Sequence, residues 1–98
     1  MTDASCERVF QVAHTLGLHA RPAGRFVSLA SRFQANVEVT REGDLDGDWV
    51  SGRSVLSLLS LAASYGTRLR VRATGPDAEL ALAQLGQVLE EPSAADGG

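Results

Sequence analysis

The segment that most constrains this chain is Thr67-Arg68-Leu69-Arg70-Val71-Arg72-Ala73, where Leu69, Val71 and Ala73 alternate with three arginines. Successive side chains of a strand point to opposite faces, so a period of two demands a sheet with one face on a core and the other in water. Such a sheet has to be covered on one side only, which helices do. The other periodicities supply them. Arg8-Val9-Phe10-Gln11-Val12-Ala13 reads as a first strand. Pro22 suits the first turn of a helix, where its missing N–H leaves no bond unmade, and Ala23, Phe26, Val27, Ala30 and Phe33 follow at helical spacing. Asn36-Val37-Glu38-Val39-Thr40-Arg41 alternates as a second strand, Glu42 to Asp48 forms a turn, and Trp49-Val50 opens a short third strand. Residues 55–63 suit an amphipathic helix with Gly66 as its left-handed cap. The last helix follows Thr74-Gly75-Pro76-Asp77, uses Leu80, Ala83 and Val88 as apolar positions, and ends near Glu91 before Pro92. The order β-α-β-β-α-β-α describes an α+β domain, with a four-stranded antiparallel or mixed sheet under three helices.

A chain of 98 residues buries only about 60–65% of its unfolded surface, enough for one core but not for a roomy catalytic cleft. We read residues 1–91 as one domain and 92–98, which hold nothing apolar enough to repay ordering, as a flexible tail. Nine arginines stand against 12 acids, for a net charge of −3, which argues against a nucleic-acid backbone as partner. Cys6 is the only cysteine, so no internal disulfide or cysteine metal site can form, and a reducing, cytoplasmic setting is expected. No apolar run approaches the roughly 18 residues of a membrane span, and the polar start does not read as a signal peptide.

Chemistry concentrates between Gly17 and Gly24. His14 reads as an exposed or half-buried turn residue. His19 lies where a glycine turn runs into a helix, whose first amides and dipole favour an anion. Arg21 adds a planar guanidinium suited to phosphate oxygens. Imidazole, amides and guanidinium within five residues could carry a phosphoryl group on a ring nitrogen; a plain helix-capping turn would use the same residues. A metal site is not expected, because His14 and His19 lack further ligands at metal spacing. A serine hydrolase finds no nucleophile elbow, and a nucleotide loop finds neither its glycine string nor any lysine in the chain.

Gly17-Leu18-His19-Ala20-Arg21-Pro22-Ala23-Gly24, followed by Phe26-Val27, resembles the active-site signature of the HPr family, histidine-containing phosphocarriers of the bacterial phosphoenolpyruvate-dependent sugar phosphotransferase system. A second block, Ser51-Gly52-Arg53-Ser54-Val55-Leu56-Ser57-Leu58-Leu59-Ser60-Leu61, is similar to the family's regulatory-serine segment. The resemblance implies an open-faced β-sandwich with an antiparallel sheet covered by three helices, and a carrier rather than a stand-alone enzyme. In that family the histidine matching His19 takes a phosphoryl group on Nδ1 from phosphorylated enzyme I and passes it to an EIIA domain of a sugar permease. Arg21 would assist both transfers, Pro22 would fix the helix start, and Gly17, Leu18, Ala20 and Ala23 would complete the turn. Ser54 would be the site of an HPr kinase/phosphorylase where the host has one, and Val55, Leu56 and Leu59 would form an apolar docking surface. The resemblance implies no cofactor and no membrane-embedded part, and a monomer is expected. The chain departs from its relatives at Leu16 or His14, where asparagine is common, and at Ala62, where glycine is usual. Two other readings stay open: a nitrogen-related regulatory carrier of the same family, which Pro22 disfavours, and a non-catalytic interaction module in which His19 merely caps its helix.

Overall fold

The computed structural model describes residues 4–43 and 47–92. Residues 44–46 of the expected turn, and 93–98 of the expected flexible tail, lie outside them. The elements are β1 (Ser5–Gln11), α1 (Ala20–Ala30), β2 (Asn36–Arg41), β3 (Val50–Ser51), α2 (Val55–Leu59), β4 (Arg68–Thr74) and α3 (Ala78–Glu90). They form one antiparallel sheet in the order β1-β4-β2-β3. Both β1 and β2 run against β4, so they are parallel to each other with β4 slotted between them. This arrangement joins the alternating strand to a partner along each of its edges. Leu69, Val71 and Ala73 are fully buried at its centre, as the period of two requires.

The arginine side of β4 faces outwards, and its charges are answered on the same face. Arg72 meets Glu38 at 2.9 Å and lies over the Trp49 ring at 4.0 Å. Arg68 pairs with Glu42 at 2.9 Å, and Arg70 with Glu7 at 3.6 Å. Exposed pairs of this kind add little stability. What they do is neutralise the open face, leaving no positive stripe there.

The helices cover the other face. Phe26, Ala23 and Ala30 of α1 and Ala81, Leu82, Leu85 and Leu89 of α3 join Val37, Val39 and Phe10 of the sheet in one core. Three details differ from the sequence expectation. Phe33 does not extend the apolar stripe of α1; the helix stops at Ala30, and Phe33 packs on the core from the following turn. In α3 the buried stripe runs through Ala78, Ala81, Leu82, Leu85, Val88 and Leu89, while Leu80 and Ala83 are exposed, because 100° per residue turns them to the outer side.

The second helix is also shorter than expected. It ends at Leu59, and Ala62, not Gly66, is the left-handed residue that stops the chain, with φ 51°. Gly66 is left-handed too, at φ 88°, but it belongs to a separate turn closed by Thr67 N–H donating to Ser64 O at 3.0 Å. Arg41 reaches from the end of β2 to donate to the carbonyls of Leu61 (3.0 Å) and Ala62 (3.4 Å), which holds the overshoot after α2 in place. No helix among the described residues is long and apolar enough to cross a membrane.

Candidate functional site

The turn that leads into α1 is assembled from backbone bonds. Gly17 N–H donates to His14 O at 2.9 Å, and His19 N–H donates to Gly17 O at 2.9 Å. Leu18 N–H crosses to Ala63 O, beyond α2, at 2.8 Å. Gly17 has φ 77°, and a Cβ there would sit 2.5 Å from that same Ala63 oxygen, so only glycine fits both the conformation and the space. Leu18 is buried, and so are Pro22 and Ala23 on the far side of His19. The turn is thereby pinned on both flanks.

His19 is the residue left between the pins. It is half-buried, occupies the N-cap of α1 in extended conformation, and its side chain caps no amide. Its ring makes no hydrogen bond among the described residues. The first intrahelical bond is Ala23 N–H to His19 O at 3.0 Å, so the amides of Ala20 and Arg21 have no acceptor within the helix, and Pro22 has no N–H. No acid lies in the first turn to offset the positive end of the helix dipole. Ala20 and Arg21, the next two residues, are exposed. A half-buried ring and the helix-start amides meet at the start of α1, an arrangement that can hold a phosphoryl group and stabilise its charge, with Arg21 two residues on lining a groove beside the helix.

His14 departs from the expected turn residue. It is completely buried, and its Nε2 lies 2.7 Å from the carbonyl of Val88, near the end of α3. A carbonyl only accepts, so Nε2 carries the proton in this bond. The ring is a tie between the His turn and the third helix. Leu16, by contrast, is 78% exposed.

Ser54 is the N-cap of α2, its Oγ accepting from Ser57 N–H at 3.1 Å. The helix rests on α1, which brings the serine block and the histidine block onto the same side of the molecule. Of the three residues expected to form a docking surface, Leu56 is 80% exposed, whereas Val55 and Leu59 are half-buried against the core. Arg53 is committed elsewhere: its Nη2 donates to Phe33 O (2.7 Å) and Ala35 O (2.9 Å). Asp77 takes the intervening amides, Gln34 N–H at 2.9 Å and Ala35 N–H at 2.8 Å, and these bonds hold its carboxyl below the usual carboxylate range. Neither role was visible in the sequence, since both are bonds to backbone far along the chain. Cys6, at the sheet edge, has its thiol pushed up by burial and by Glu79. Among the described residues no group of three His, Cys, Asp or Glu side chains gathers to hold a metal.

Comparison with known proteins points the same way. The family described as PTS HPr component phosphorylation site matches residues 6–91. The phosphocarrier protein HPr of Haloferax volcanii is 39% identical over 88 residues, spanning 90% of this chain and 97% of that protein. The multiphosphoryl transfer protein of Vibrio cholerae is 38% identical over 77 residues, which cover 79% of this chain but only 19% of the longer relative. The crystal structure of the HPr phosphocarrier from Bacillus anthracis superposes with a TM-score of 0.79 at 33% identity, covering 89% of this chain and 99% of that one.

Proposed function

This chain belongs to the HPr family of phosphotransferase-system components, and from that membership we propose that it carries a phosphoryl group on His19 between phosphorylated enzyme I and an EIIA domain that serves sugar uptake. The observation that carries this reading is an N-cap imidazole that caps nothing. A histidine kept only to start a helix would spend its ring on an amide, as capping side chains do; His19 keeps its ring for a visitor. In the step itself, the phosphorus leaves its donor atom on enzyme I and bonds to His19 Nδ1, and the return step transfers it intact to EIIA. The amides at the start of α1 and the Arg21 guanidinium stabilise the charge while it resides there. Fixed flanks at Leu18 and Pro22 mean that little reorganisation accompanies either transfer. The carrier acts as a monomer in the cytoplasm. Ser54 is its regulatory site, open to an HPr kinase/phosphorylase, with Leu56 the most exposed part of the docking surface beside it.

The test is labelling with phosphoenolpyruvate and enzyme I. Wild type should gain an acid-labile, alkali-stable phosphoryl group, His19→Ala should gain none, and Arg21→Ala should transfer about 10- to 100-fold more slowly, the scale of one charge-assisted bond. Label retained by His19→Ala, or absent from wild type, overturns the reading.

A further inference from the structure

Arg41 is the last residue of β2, opposite Leu69 of β4, and its own backbone is firmly held. Glu42 N–H donates to Arg68 O at 2.9 Å, and the buried Thr40 donates its hydroxyl to Asp48 O at 3.2 Å. From this strand end the half-buried side chain crosses to the segment after α2, where Nη1 donates to the carbonyls of Leu61 at 3.0 Å and Ala62 at 3.4 Å. The contact falls on the residue with φ 51° and on the one before it. A non-glycine backbone in the left-handed region persists only where its surroundings over-determine it. Arg41 is part of what does so here.

The residues that follow Ala62 are the wall of the His turn. Ala63 O takes Leu18 N–H at 2.8 Å, and a Cβ at Gly17 would lie 2.5 Å from that oxygen and 2.8 Å from Ser64 Cα. The far end of this wall is tied down by bonds of its own. Gly66 N–H donates to Val12 O at 2.8 Å, Val12 N–H to Thr67 O at 2.9 Å, and Ser64 N–H to Thr67 Oγ1 at 3.1 Å. The near end is different. The amides of Leu61 and Ala62 reach back only to Leu58 O and Leu59 O, at 3.1 Å each, within the same stretch of chain. Arg41 ties residues 61 and 62 to the sheet, so the Ala63 oxygen stands between an anchor on β2 and an anchor beside β1.

We propose that Arg41 is a positioning residue for phosphoryl transfer: by holding the carbonyls of Leu61 and Ala62 it sets the Ala63 oxygen, which sets Leu18 N–H and with it the backbone of His19. The inference rests on the phosphocarrier reading and deepens it by adding a residue from outside the histidine motif. Misplacing a reacting group by about 1 Å can cost about 100-fold in rate, and a wall loosened at one of its two ends costs less, about 3- to 10-fold. Arg41→Ala should therefore slow transfer at saturating carrier by that factor while the KM of enzyme I for the carrier changes little, because no docking group is removed. Amide exchange at Leu18 should quicken about tenfold or more relative to Ala13, whose N–H is bonded to Leu89 O on the other flank of the turn. Arg41→Lys, which keeps a charged donor without the planar fork, should be intermediate in both measurements.

The experiment measures phosphoryl transfer from enzyme I against carrier concentration, with hydrogen exchange and melting curves on the same proteins. Asp77→Ala separates positioning from stability alone: it removes two backbone bonds at the opposite end of α1 from His19, so it should melt lower yet keep the wild-type transfer rate and the wild-type ratio of Leu18 to Ala13 exchange. Arg41→Ala with wild-type turnover, or with an unchanged exchange ratio, overturns this inference alone in a chain whose wild type is labelled. A defect that falls on KM instead assigns Arg41 to docking, and the proposal fails. Where Arg41→Ala does not fold, Arg41→Lys carries the test, and wild-type values in both measurements overturn the proposal. A wild type that takes no label overturns the phosphocarrier reading and the positioning role with it.

Discussion

Ala62 offers a stability test with a sign that can be worked out in advance. Among the described residues it is the non-glycine with positive φ, at 51°. In that region an L side chain brings Cβ against the following carbonyl, at a cost of about 1–2 kcal/mol. Replacing it with glycine removes this strain but widens the unfolded ensemble, which returns about 0.5–1 kcal/mol. The side chain is exposed, so no buried contact is lost with the methyl group. The bonds made at this residue use backbone atoms that glycine keeps: its N–H to Leu59 O at 3.1 Å, and its carbonyl to Arg41 Nη1 at 3.4 Å. Ala62→Gly should therefore stabilise the fold by about 0.5–1 kcal/mol, equivalent to a rise of roughly 2–8 °C in Tm for a domain near 100 residues. In urea the midpoint should move up with an unchanged slope, since the surface exposed on unfolding stays the same. Ala62→Val should move the midpoint down, a β-branched side chain being least tolerant of positive φ. A glycine variant with an unchanged or lower midpoint refutes the strain argument.

Three further outcomes are expected. His14→Ala should destabilise the protein by about 2–4 kcal/mol, through a cavity and an unanswered Val88 carbonyl, and His14→Asn, which keeps a donor, should recover part of that loss in urea titrations. Asp77 has a folded-state pKa below its unfolded value, so its contribution to stability is present above the ordinary carboxylate range and is lost as pH falls through the lowered value; Asp77→Asn should flatten the decline of Tm with acid below about pH 4. Ser54→Ala should lower stability by about 1 kcal/mol through the lost cap while transfer proceeds normally, whereas Ser54→Asp should keep the cap and raise the KM for enzyme I by bringing negative charge to the docking side; equal transfer defects in both variants would assign the effect to capping.

What the sequence reveals and what it hides follow the range of the interactions. The alternation in β4 reports burial residue by residue, and the structure places Leu69, Val71 and Ala73 accordingly. Pro22 marks the start of α1 because its constraint is local. The end of α2 is not local. Residues 55–63 are apolar at helical spacing to their end, yet the helix stops at Leu59, and Arg41, some 20 residues away, binds the carbonyls beyond it. His14 sits among turn residues in sequence, but its burial is set by α3, 74 positions later. The sequence motif singles out His19 and Arg21 directly. It is silent on Ala63, whose part is played by a carbonyl oxygen that any residue could supply.

The departures at His14, Leu16 and Ala62 make physical sense together. A turn of this kind needs its buried polar atoms answered. An asparagine could do so from within the turn, but Leu16 points to solvent and answers nothing. Here the work passes to two distant backbone carbonyls. Val88 O accepts from His14, and Ala63 O accepts from Leu18, fixing the chain before and after Gly17. Ala63 reaches that position because the preceding residue, Ala62, turns left-handed after α2. The strain at Ala62 and the seat of His19 are thus joined through one backbone hydrogen bond, Leu18 N–H to Ala63 O. Glycine at 62 should relax the strain without moving the Ala63 carbonyl, so the stabilised variant should transfer at the wild-type rate. A slower Ala62→Gly would show that the alanine helps to hold the turn in its transfer geometry.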